Sequence, residues 1–418
     1  MNLLSETMLE EAKKAEEAVK EVFLRADHVC LLNQQKVLSA FHEEKISEAH
    51  LHGSTGYGYG DLGRDALDRV FARALEAEDA LVRHTIVSGT HALSLCLFGV
   101  LRPGDTMLSI TGKPYDTMEE VIGIAGEPGN GSLKDFGVSF EAIELIDGKV
   151  DMEAVCAKLR EKPIKMAYIQ RSMGYSSDRS AFPAADIGEM VKTIHEISPD
   201  TICMVDNCYG EFVEEHEPTY YGADIMAGSL IKNAGGSLAR TGGYIAGRSD
   251  LVELVSYRLT SVGIGKEAGA SLDENRLLYQ GLFMAPHVVA QAVKTACFCG
   301  ALFKNAGYEV WPAPDSYRAD IIQTVRLGSA EKLIAFCQGI QSGSPIDAHV
   351  VPEPWEMPGY ACPVIMAAGA FINGASIELS ADGPVKPPYT VFVQGGITYE
   401  SGKLGILYAM QHCKSKNV

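Results

Sequence analysis

No basic run, no Cys-x-x-Cys pair and no apolar stretch approaching twenty residues occurs in this chain. Each absence argues against a class of function. Phosphate contacts need clustered Lys and Arg, and a formal net charge of -18 opposes them, so a nucleic-acid partner is not expected. The ten cysteines are scattered, mostly inside apolar runs, and Cys297-x-Cys299 falls in a helix-like segment. That pattern suits free thiols in a reducing compartment and speaks against zinc or another metal site. A membrane span takes roughly 20 apolar residues, and Met1 to Lys20 is charged, with no apolar signal core. The expectation is a cytoplasmic protein with no membrane partner. Internal repeats and low-complexity segments are lacking too.

What is present suits an ordinary globular enzyme or binding protein. At 418 residues the chain calls for a large domain plus a smaller one, and 46% hydrophobic with 22% charged residues is the usual balance. Residues 5–26 read as an amphipathic helix and Asn33 to Phe41 as a second, short one. Strands are expected at 80–87, 105–110, 140–146, 164–169 and 201–205. Helices alternate with them at 65–77, 92–100, 117–124, 151–159 and 184–197. Every polar motif follows a strand's C-terminal end, so the pattern implies an α/β fold with a mostly parallel sheet and a ligand crevice along that edge. A long helix spans 277–298. From about residue 301 an α+β pattern takes over, with strands near 310–312, 321–325, 364–367, 377–379 and 390–393 and a helix over 330–341. The division is 1–50, a helical segment; 51–300, a large domain; and 301–418, a small C-terminal domain. The loop 347–358, with three prolines and Trp355, is long enough to be functional or a packed connection.

Four motifs carry chemistry. Ser88-Gly89-Thr90-His91 sits where a strand turns into a helix, and the free N–H groups there favour an anion such as phosphate. A plain N-cap on Ser88 has the same appearance. Tyr115 leaves the next strand, either as a ring against an aromatic cofactor or as a packed turn residue. The apolar run 201–205 ends on Asp206. Lys232 follows 26 residues later, with Ser229 before it and glycines after it. An acid that keeps a pyridine nitrogen protonated and a lysine that forms a Schiff base are the groups pyridoxal 5'-phosphate (PLP) needs. A core strand and a surface lysine would mimic the pair taken alone. The glycine-rich stretch Gly56-Tyr57-Gly58-Tyr59-Gly60-Asp61 permits close backbone approach while two hydroxyls reach out, or is a surface loop with packed rings.

In order and type, these motifs resemble the large domain of fold-type I PLP enzymes. The blocks Gly56–Asp61, Ser88–Ala92, Gln170-Arg171-Ser172, Ser229–Asn233, Asn373–Asp382 and Gln394–Tyr399 are similar to the bacterial aluminium resistance family. That family is related to methionine gamma-lyase and cystathionine beta-lyase, and the similarity spans nearly the whole chain. The resemblance implies the fold-type I PLP-dependent transferase fold and a carbon–sulfur lyase acting on a sulfur amino acid. Transamination, aldol-type cleavage and non-catalytic PLP binding are the alternatives. It implies Lys232 as the cofactor's lysine and as the base for the Cα proton, with a depressed pKa. Asp206 would pair with the pyridinium nitrogen, and Gly89, Thr90 and Ser229 would hold the phosphate. Tyr115 would stack on the ring and assist proton transfer or leaving-group departure. Tyr57 or Tyr59 would reach the phosphate of a neighbouring subunit, which implies a homodimer or homotetramer with its site at the interface. Three departures stand out. Val391–Gly395 lacks the arginine that the better-known lyases use for the substrate carboxylate, leaving Arg171, Arg240 and Arg318 as candidates. Gly58–Asp61 lacks the arginine of the phosphate clamp, and Ile231 replaces a second hydroxyl.

Overall fold

Nothing between Lys20 and Glu43 can stop a helix, since the stretch holds neither proline nor glycine. The computed structural model, which describes residues 4–176, 179–356 and 362–415, has one continuous helix there. This is α2 (Lys20–Glu43), and the break expected near residues 27–32 falls instead at Val19, behind α1 (Glu6–Ala18). Asn33 lies inside α2, where its buried amide donates to the Phe212 and Glu214 carbonyls at 3.2 and 2.9 Å. That bond pair fastens the helix to the loop that follows the central strands.

The large sheet holds β1 (Asp79–Arg83), β2 (Thr106–Ser109), β3 (Ser139–Ala142), β4 (Met166–Gln170), β5 (Ile202–Asp206), β6 (Ile225–Ser229) and β7 (Gly243–Gly247). Its order is β1-β7-β6-β5-β4-β2-β3, and only β7 runs against its neighbours. The mostly parallel sheet read from the sequence is therefore present. Helices α3 (Leu62–Ala74), α4 (Gly89–Val100), α5 (Asp116–Ile122), α6 (Met152–Glu161), α7 (Ala184–Ile197) and α8 (Ser249–Leu259) connect or flank the strands. Buried strands alternate between two cores. Leu81, Met107, Tyr168, Met204 and Ile245 pack with Leu93 and Leu97 of α4 and Val252 of α8. Val82, Leu108, Ile169, Val205 and Tyr244 pack on the other face with Phe71 of α3 and Ile187 of α7. A sheet covered on both faces needs the near-continuous apolar strands seen here.

Helix α9 (Asn275–Asn305) carries the chain to the second sheet. Among the described residues it is the one helix long and apolar enough to cross a membrane, yet 78% of its apolar window is buried inside the protein. Core packing explains its composition. The second sheet contains β8 (Glu309–Trp311), β9 (Gln323–Arg326), β10 (Val364–Ala367), β11 (Ser380–Pro384) and β12 (Thr390–Gln394), all antiparallel in the order β10-β11-β12-β9-β8. Helices α10 (Ala330–Ser342) and α11 (Tyr399–Ser415) complete this part. The strand expected at 377–379 begins later, at Ser380. Glu378 is instead a buried loop anchor, its carboxylate accepting the backbone N–H groups of Phe371 and Ile372 at 2.9 and 3.0 Å. In the loop 347–358, Trp355 exchanges backbone bonds with Val364, while Met357 and Pro358 lie outside the described residues.

Candidate active site

Strand periodicity builds the site. Successive residues point to opposite faces, so Gln170 shares the face of Tyr168, Asp206 that of Met204, and Ser229 that of Ile225. All three project from strand C-termini towards α4, and Gln170 stands beside Asp206 in register. Helix α4 begins at this point. Ser88 is its N-cap, accepting the His91 N–H at 3.1 Å, so the plain-cap reading of Ser88 holds. Gly89 is the residue that meets the strand ends: a Cβ there would lie 3.2 Å from Cys208 Sγ and 3.4 Å from the Ser229 Cβ. The start of α4 is thus seated against β6, with its unpaired N–H groups near Ser229. The Thr90 hydroxyl lies 2.7 Å from that of Thr117.

Asp206 is 5% exposed. It accepts the Cys208 N–H at 3.2 Å and the Tyr168 hydroxyl at 3.4 Å. Burial raises its pKa, while Lys232 and the Cys208 N–H pull it down. Lys232 has its Nζ 4.0 Å from the centre of the Tyr209 ring. Burial alone would neutralise the amine, but Cys208, Tyr209, Tyr115 and Asp206 outweigh it and hold the pKa above the ordinary lysine value. In the protein alone this pocket of acidic and polar groups favours the ammonium, whereas the depressed value expected from the sequence belongs to the amine beside the bound cofactor.

Tyr115 precedes α5 and stacks on Tyr175, with centroids 5.9 Å apart and planes 28° apart. A cavity of about 660 Å³ opens here, lined by Thr111, Tyr115, Gln170, Met173, Tyr175 and Arg179. Asp206, Ser229 and Lys232 are not on that lining. They adjoin it through Tyr115, whose hydroxyl acts on the Lys232 amine, and through Gln170, the register partner of Asp206.

The three candidate arginines all have other tasks. Arg171 is completely buried, donating to Asn207 at 2.6 Å, Glu214 at 2.5 Å and Glu217 at 3.0 Å. Arg240 is exposed and pairs with Glu274. Arg318 is buried apart from the cavity, bonded to the Ile322 carbonyl at 3.0 Å and to Gln323. The arginine that does line the cavity, Arg179, escaped the sequence reading. Its guanidinium donates to the backbone carbonyls of Thr111 at 2.9 Å and of Gln170 and Ser172 at 2.7 Å. Among the described residues no carboxylate pairs with it. Burial lowers its pKa to about 10 against the distant pull of Asp320 and Asp206. No sequence signal marks it, since only the return of the loop, with the Phe182 N–H on the Arg171 carbonyl at 2.8 Å, folds it over the strand ends.

Tyr57 and Tyr59 are far from burial, 77% and 61% exposed. The loop beneath them is rigidly made. Gly58 has φ +66°, and a Cβ there would lie 2.7 Å from the Ala270 nitrogen. Arg64, buried under the loop, donates to the carbonyls of Gly58 and Gly269 at 2.7 and 2.8 Å. Asp61 caps α3 through the Arg64 N–H and receives the hydroxyls of Ser54 and Ser271.

A helix N-terminus against a strand-end serine, a buried strand-end acid and a lysine beside it define the scaffold of a fold-type I PLP-dependent enzyme. The group fits: without a Cβ, Gly89 lets the start of α4 sit close against Ser229, and Gln170 Oε1, next to Asp206, is buried without a partner among the described residues. The chain belongs to the methionine gamma-lyase family, whose model matches residues 8–414. It is 50% identical over 414 residues to the uncharacterised protein YnbB of Bacillus subtilis, spanning 99% of this chain and 98% of that one. A solved Clostridium novyi structure, named a carbon–sulfur lyase involved in aluminium resistance, is 49% identical with a TM-score of 0.94, covering 99% of this chain and 97% of that one. A Listeria monocytogenes protein, provisionally named a cystathionine beta-lyase involved in aluminium resistance, is 52% identical with a TM-score of 0.94 over 96% of this chain and 99% of that one. The family resemblance read from the motifs is therefore correct.

Proposed function

We propose that the protein is a PLP-dependent carbon–sulfur lyase that eliminates a thiol from a sulfur amino acid, releasing the thiol from Cβ or Cγ. The observation that carries this reading is the convergence of Gly89, Asp206, Ser229 and Lys232 at one end of the large sheet, in a chain of the methionine gamma-lyase family. Gly89, Thr90 and Ser229 would hold the phosphate, Asp206 would pair with the ring nitrogen and Lys232 would supply the amine. When bound, PLP supplies an electron sink for charge developing at Cα.

The protein's own side chains do the rest. Lys232, as the neutral amine, takes the Cα proton, and Tyr115 beside it exchanges a proton with that amine or with the departing thiolate. Arg179 takes the substrate carboxylate, its uncompensated guanidinium being fixed by three carbonyls at the cavity wall. A second copy of the chain covers the exposed Tyr57 and Tyr59, with Leu272 (52% exposed) in the loop that bonds to theirs. All ten cysteines are free thiols, which supports a cytoplasmic setting.

The test is direct. Cofactor-loaded protein mixed with cystathionine, cysteine or methionine should release a thiol together with pyruvate or 2-oxobutyrate. Formation of a stable pyridoxamine form with none of these products would replace the reading by transamination.

A further inference from the structure

The small sheet presents one face to α10 and the other to the cleft. Ile365, Ala367, Ala381, Val391 and Val393 form its apolar side, and alternation puts Met366, Asp382 and Phe392, which are register partners, on the opposite side. That side should be apolar or solvated, yet it buries an acid. Asp382 is 4% exposed and lines a second cavity of about 340 Å³. This cavity shares Asp116, Tyr175 and Ser176 with the first, so the two adjoin across those residues. The Tyr175 hydroxyl donates to Asp382 Oδ2 at 3.0 Å, and Gln394 approaches the same oxygen at 3.5 Å. Among the described residues Asp382 Oδ1 has no partner, nor do the buried hydroxyls of Ser380 and Thr390 on the same face, and of these Asp382 and Thr390 line the cavity. A buried charge is costly unless paired, and two unsatisfied polar groups on a cavity wall fit a ligand that bonds both. Lys386, exposed at the rim and drawn to Asp116, does not fill that role.

We propose that Asp382, oriented by Tyr175, is the specificity-determining residue for a substrate whose leaving thiol ends in an ammonium group. This rests on the lyase reading. The scissile carbon lies by Tyr115, Gln170 and Arg179, and the far end of a thioether amino acid extends past Tyr175 to Asp382. An ammonium supplies the opposite charge and three donors, matching the open carboxylate oxygen and the Thr390 hydroxyl. Methionine and cysteine leave the acid unpaired.

The cofactor-loaded full chain should be compared on S-(2-aminoethyl)-L-cysteine and S-propyl-L-cysteine, which differ in the terminal group and little in length. Rates of thiol release and dissociation constants by calorimetry are both read. The aminoethyl compound should be favoured roughly ten- to a hundredfold, the range of a hydrogen bond to a charged group. In Asp382→Asn that preference should collapse to within about threefold, mostly through KM, and Tyr175→Phe should weaken it by a smaller factor. Equal handling of the two compounds by the parent protein overturns the proposal without any variant. So does an Asp382→Asn protein that loses both compounds by the same factor. If neither compound is cleaved the lyase reading fails, while the two dissociation constants still decide the subsite.

Discussion

Two buried acids stand beside adjoining cavities, Asp206 on the large sheet behind the wall that Gln170 forms and Asp382 on the small sheet in the wall of the second. Asp206 has a cationic neighbour in Lys232, a backbone donor in Cys208 and a hydroxyl in Tyr168. Asp382 has Tyr175 and an unpartnered oxygen, no cation among the described residues pairs with it, and burial pushes its pKa up to about 7. The first acid has its partners already in place. The second is completed only by something that comes and goes. The same contrast separates Arg171, paired with two carboxylates, from Arg179, which donates to backbone carbonyls and pairs with no carboxylate among the described residues.

The sharpest way to break this comparison is at the lysine. Lys232→Ala should lower thiol release by about 10² to 10⁴-fold, the range lost with a general base, and should abolish the visible absorbance of lysine-bound cofactor. An unchanged absorbance would remove Lys232 from the site. Next come the arginines. Arg171→Met leaves Glu214 and Glu217 buried without a cation, and chemical denaturation should show a loss of about 3–5 kcal/mol. Arg179→Met breaks no ion pair among the described residues, so it should cost much less stability while raising KM for amino-acid substrates roughly ten- to a hundredfold. If the two variants exchange these signatures, the roles assigned to them are reversed.

The smallest effect concerns pH. The Asp382 carboxyl holds its proton to about pH 7 in the folded protein, against about 3.9 for an unperturbed aspartate in the unfolded chain. Folding therefore takes up a proton between these values, and stability falls as pH rises through that window. Asp382→Asn removes the titration. Its melting temperature relative to the parent should rise on going from pH 5 to pH 8, and a flat difference would show that the acid is ionised throughout.

Much of the site was legible because its signals are local. Asp206 at the end of an apolar run, Ser229 and Lys232 close together, and Gly89 at a strand-to-helix turn each follow from a few neighbouring residues. Their shared side of the sheet follows from strand alternation alone. The small sheet was partly legible, but the segment 377–379 read as a strand because its apolar side chains hid the task of Glu378, which holds two N–H groups of the same loop six and seven residues earlier.

By itself the sequence determined the alternating α/β order, the mostly parallel sheet and the family, since these rest on periodicity and contiguous motifs. Only the tertiary structure decided which arginine is available and which acid is unsatisfied. Charge compensation depends on partners dozens or hundreds of residues apart. Arg171 meets Glu214 and Glu217 across 43 and 46 residues, and Tyr175 reaches Asp382 across 207. An isolated letter in a sequence carries no record of whether such a partner arrives.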